Sequence, residues 1–144
     1  MKKTITTFVT MLCAFVFVLI FAACGSNSEY VGVYKMKSIS GIITQNGQTI
    51  HLTTDLYEYY NITLNEDGTG KIESKGTTNT NRVESTGTWD VENGKVLFKS
   101  KVGAVTVVEE MTWENGVLTY VAEQTGVGYA YSMTIVLERE TQAK

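Results

Sequence analysis

The chain has 144 residues, two cysteines, one histidine, no proline and a formal net charge of −3. That length accommodates one domain, and an acidic balance with no basic cluster argues against nucleic acid as a partner. One histidine and two cysteines are too few for a zinc or copper centre, so neither a metal nor a cofactor is expected.

In chain order the first feature is a targeting segment. Lys2 and Lys3 precede a run from Phe8 to Ala23 that is apolar except for Thr10. This is the layout of a secretory signal peptide, and the run is shorter than the roughly 20 residues of a spanning helix. Ala22 and Ala23 stand directly before Cys24, and Gly25, Ser26, Asn27 and Ser28 follow as a small, polar stretch. The sequence FAACGSNS resembles the lipobox of bacterial lipoproteins, with Phe21 where that family most often has Leu. The resemblance implies cleavage before Cys24, acylation of its thiol and new amino terminus, and attachment to a cell membrane or outer membrane facing out of the cytoplasm. Two or three acyl chains, at about 0.8 kcal/mol per buried CH₂, would make that attachment permanent. Cys13 would leave with the signal, so no disulfide is available and the domain must rely on its core. Loss of Lys2 and Lys3 leaves ten basic against fifteen acidic side chains. The expected organisation is a signal at 1–23, a lipidated cysteine with a flexible tether at 24–29, and a folded domain at 30–140.

The remainder reads as all-β. Asn46-Gly47, Asp67-Gly68, Asn93-Gly94 and Asn115-Gly116 are pairs that accept the positive φ angles of tight hairpins. Between such turns apolar residues alternate, as in Val83, Ser85, Gly87, Trp89 and Val91 against Glu84, Thr86, Thr88 and Asp90. Strands are expected at about 31–39, 58–65, 69–75, 82–91, 95–101, 104–113, 117–123 and 129–139. Ser40 to Tyr57 is ambiguous: Asn46-Gly47 suggests a small hairpin, and Thr53 or Asp55 could open a helical turn. Eight strands joined by short turns favour a small antiparallel up-and-down barrel, because closure removes the sheet edges; a two-sheet sandwich is the alternative.

Gly32-Val33-Tyr34, LNEDGTGKI, TGTWDVENGKVLF and the terminal Glu138-Arg139 together resemble the small lipocalin-like lipoproteins of bacteria over most of Tyr30 to Arg139. In lipocalin relatives an aromatic residue of the first strand packs on a basic residue of the last and closes one end. The resemblance assigns those places to Tyr34, where the relatives have Trp, and to Arg139.

No catalytic constellation emerges, and no enzyme activity is expected. Gly68-Thr69-Gly70-Lys71 lacks the spacing of a phosphate loop and joins two strands. Asn65 to Gly68 lacks the ligand spacing of a calcium loop. His51 has no serine elbow to activate and is expected on an exposed loop. Glu109 and Glu110 are adjacent and point to opposite faces of a strand. Strict alternation would turn Glu109 inward with Val105, Val107, Met111 and Trp113. A β-bulge near Val108, letting both glutamates reach water, is the favoured expectation.

The function expected is that of a non-catalytic binding module for a small apolar or amphipathic ligand. Candidate lining residues are Tyr34, Trp89, Glu109, Met111, Tyr120, Tyr131 and Met133. The alternative is an envelope protein with a filled barrel and a protein partner, since a barrel this small can be filled by its own side chains.

Overall fold

The computed structural model describes residues 27–141 except residue 79. The expected signal at 1–23 and the expected lipidation site Cys24 lie outside the described residues. Nine strands follow one another among those described: β1 (Gly32–Gln45), β2 (Gln48–Leu52), β3 (Tyr57–Leu64), β4 (Thr69–Gly76), β5 (Arg82–Glu92), β6 (Lys95–Val102), β7 (Val105–Glu114), β8 (Val117–Gly126) and β9 (Tyr129–Arg139). All pairings are antiparallel, between neighbours from β3 to β9, and β1 joins both β3 and β9. The result is a closed eight-stranded barrel, with β2 as an extra strand hairpinned onto the far half of β1. The ambiguous stretch therefore resolves into the end of β1, the short β2 and a 3-10 turn at Thr54–Leu56.

Local chemistry accounts for the hairpins. Asn46, Asn93 and Asn115 have φ near +50°, and the glycine after each is also positive, as two-residue hairpins of the I′ kind require. Asp67-Gly68 works differently. Asp67 Oδ1 accepts from the Thr69 amide at 2.9 Å and the Thr69 hydroxyl at 2.6 Å, fixing a longer loop.

A bulge in β1 between Met36 and Ser38 has a structural consequence. It shifts the alternation by one residue, so that Ile39, Gly41 and Ile43 continue on the inner face begun by Tyr34 and Met36. The other irregularity is in β3 between Tyr57 and Tyr59. The β6–β7 register runs unbroken from Lys95↔Thr112 to Val102↔Val105. The expected bulge near Val108 is therefore absent, and Glu109, opposite the fully buried Phe98, faces the barrel interior.

The interior is filled over half its length. Tyr34, Leu64, Val96, Phe98, Leu118 and Leu137 are all buried at the end where β1 starts and β9 finishes. At the other end the wall comes apart along two seams. β7 and β8 pair only from Met111↔Tyr120 to Glu114↔Val117, although both strands run on for several residues. β1 pairs with β3 only through Gly32–Lys35 before it turns to β2.

Candidate functional site

The filled end is sealed by a plug of polar contacts. The Tyr34 hydroxyl donates to the Tyr30 carbonyl at 2.6 Å and accepts from Trp113 Nε1 and Arg139 Nη2, each at 3.1 Å. The Arg139 guanidinium lies 5.5 Å from the Tyr34 ring centroid and also donates to the Glu29 carbonyl, while its Nε is buried without a partner. Gly32 makes room for this side chain, since a Cβ there would sit 3.2 Å from Arg139 Nε. Tyr30 covers Trp113 with ring centroids 4.8 Å apart. The residues Asn27–Glu29, read from composition as part of a flexible tether, instead form a 3-10 turn against this end. A shallow cleft of about 610 Å³ lies outside the plug among rim residues including Glu29, Trp113 and Arg139.

The open half has a different lining. Its wall on β5, β6 and β7 carries Val83, Val102, Val105 and Val107 on the inner face, and these are 61%, 65%, 64% and 38% exposed. Facing them from β1, β2 and β9 are Ile43, Ile50, Met133 and Tyr131, with Ile50 exposed and the rest half-buried. The floor is formed by buried Ser100 and half-buried Glu109, Tyr60 and Tyr120. Tyr57 contributes a second ring, packed edge-on to Tyr60 at 6.3 Å.

Glu109 is the one charged side chain on this floor. Burial raises its carboxyl above the usual carboxylate range. Desolvation, with Glu109 as the next contribution, raises the Tyr60 phenol well above the ordinary range and raises that of Tyr120 as well. Glu110 points outward and pairs with Lys95. The basic side chains on neighbouring strands also lie on the outer face: Lys75 pairs with Glu58, and Arg82 with Glu73 and Glu84.

A raised carboxyl carries a stability consequence. The folded protein binds the Glu109 proton more tightly than the unfolded chain, so stability falls as pH rises from the ordinary carboxylate pKa through the folded one. Glu109→Gln is expected to stabilise the protein at pH 7 by about 1 kcal/mol, the low end for a poorly satisfied buried group. The gain should vanish near pH 3, well below the ordinary carboxylate pKa, where wild type is protonated in both states. Urea unfolding of both proteins at the two pH values checks this; equal midpoints at pH 7 would contradict it.

The expected lining set is divided between the two halves. Tyr34, Trp89 and Met111 belong to the filled end, where Trp89 Nε1 donates to the Asn65 carbonyl at 2.9 Å. Glu109, Tyr120, Tyr131 and Met133 remain half-buried in or at the floor of the open half. The exposed valines and Tyr60 were not singled out as lining, although Val102 and Val105 flank the Gly103-Ala104 turn on continuing alternation. His51 is exposed, but on β2, not on a loop. No group of three or more metal-ligating side chains converges among the described residues.

The fold and site thus define an all-β barrel, sealed and filled at one end and open with an apolar lining at the other. No family model, curated protein or solved structure matches this chain.

Proposed function

We propose that this protein is a lipid-anchored extracytoplasmic binding module, without catalytic activity, that takes a small apolar or amphipathic ligand into the open half of a lipocalin-like barrel. The observation that carries the reading is the inner face of that half, where four valines stay exposed above a filled floor. Apolar side chains facing a concave opening gain from covering, at about 25 cal/mol per Å² removed from water. The sealed end rests on its own plug and needs no ligand to complete it.

The anchor adds an orientation. Cys24 is three residues from Asn27, a reach of about 10 Å at full extension, and Asn27–Glu29 sits on the sealed end. An acylated Cys24 would hold the sealed end toward the membrane and direct the mouth away from it. Cys24→Ala is expected to accumulate as an uncut precursor without lipid, seen by mass spectrometry and membrane fractionation. A normally processed, membrane-bound variant would rule the anchor out.

A second reading, an envelope protein that binds a protein partner, is favoured by the strand edges at the β7–β8 seam. There 105–110 and 121–126 lack each other's ladder bonds, and free edges accept an added strand. Cross-linking in the envelope that joined these two segments to another protein would support it.

A further inference from the structure

The open half combines an apolar wall with one charge, and that charge is negative. Among the described residues no lysine, arginine or histidine lies on its inner face: strand register sends Lys75, Arg82, Lys99, Lys101 and His51 outward. The Glu109 carboxyl has no ion pair or side-chain hydrogen bond among the described residues. A half-buried carboxylate without a partner is an unfavourable element of a folded protein, and packing does not require it, since a neutral side chain of the same shape would fill the place.

Tyr120 pairs with Met111, two residues along the same inner face from Glu109, Tyr60 faces the same interior from β3, and Tyr57 packs on Tyr60. Aromatic faces beside a carboxylate form a surrounding that attracts an alkylated ammonium: the rings hold the N-methyl groups and the carboxylate neutralises the charge. Val83, Val102, Val105 and Val107 extend from this floor to the mouth, along the path a hydrocarbon chain would follow.

Resting on the ligand-binding reading above, we propose that the site selects amphipathic cations, an ammonium head on an alkyl chain, with Glu109 as counter-ion and Tyr60 and Tyr120 as ring partners. A fatty acid or alkyl sulfate of equal length would place its anionic head against Glu109 and be repelled.

The test uses the full chain in lipid nanodiscs, with empty nanodiscs as reference, and isothermal titration with decyltrimethylammonium, decyl sulfate and decanol. Binding of the cation with little binding of the sulfate is expected. Glu109→Gln should weaken the cation by about tenfold or more, a far larger change than it makes to decanol. Tyr60→Leu should weaken the cation severalfold while keeping the carboxylate. Cation and sulfate binding alike, or a cation affinity indifferent to Glu109→Gln, would overturn the selectivity and leave the ligand-binding reading standing. Binding of none of the three probes would overturn both.

Discussion

Gly87→Ala is expected to destabilise the protein by about 3 kcal/mol, the upper end for overpacking, although Gly87 lies in mid-strand on a backbone that alanine ordinarily adopts. A Cβ at this position would overlap the Lys99 carbonyl oxygen and lie 2.9 Å from its carbon, both backbone atoms of the paired strand β6. Side chains can turn aside, but a strand backbone held by hydrogen bonds on both edges cannot. The substitution must therefore push β5 from β6 beside buried Ser100 and Trp89. Gly94→Ala is the control: nothing lies within 4 Å of its Cβ, and only the positive φ of 74° opposes it, at a cost of about 1 kcal/mol. Urea midpoints for the two variants compare the effects directly, and a Gly87→Ala midpoint at or above that of Gly94→Ala would contradict the close approach.

The second large effect belongs to the plug. Tyr34→Phe keeps the ring under Arg139 but removes an oxygen that accepts two hydrogen bonds and donates a third. Trp113 Nε1 would lose its acceptor and Arg139, whose Nε already has no partner, would lose one of its own. A loss of about 2 kcal/mol is expected, because a buried donor left without an acceptor costs more than an average hydrogen bond contributes. Trp113→Phe should lose less once Tyr34→Phe is present, so a double-mutant cycle should return a coupling energy. Additive losses would mean that the hydroxyl and the indole act independently. Glu110→Gln, which removes only an exposed pair with Lys95, should change stability by less than about 1 kcal/mol.

How much of this could be read from the sequence varied with the range of the interaction. Asn46-Gly47, Asn93-Gly94 and Asn115-Gly116 announced hairpins because positive φ is a property of two residues and their own atoms. The turns at Gly103-Ala104 and Val127-Gly128 carry no such pair, and only the strands on either side placed them. Alternation assigned the inner face of β5 from Val83 to Trp89, since one register covers the whole strand. It could not do so for β1, where the bulge after Met36 shifts the period and conceals that Ile39 and Ile43 follow Tyr34 inward. For Glu109 alternation was right and the expected bulge was wrong: a carboxylate facing inward looked unfavourable, and the sequence did not reveal that this part of the interior is open. That opening depends on where β7 and β8 stop pairing, a consequence of strand stagger around the whole barrel. For the same reason Tyr34, Trp89 and Met111 lie in the filled end, separated from the mouth with which they were grouped.

The central claim is that the open half is a ligand site and not merely an unfilled end. Native mass spectrometry of the protein purified from its native host, repeated after incubation with apolar-chain compounds of positive, neutral and negative head charge, tests it most directly. The account predicts a reproducible added mass that survives transfer, disappears on denaturation and is reduced when Val105 and Val107 are both replaced by Asp. The bare protein mass in every preparation, with each compound in excess, would contradict it.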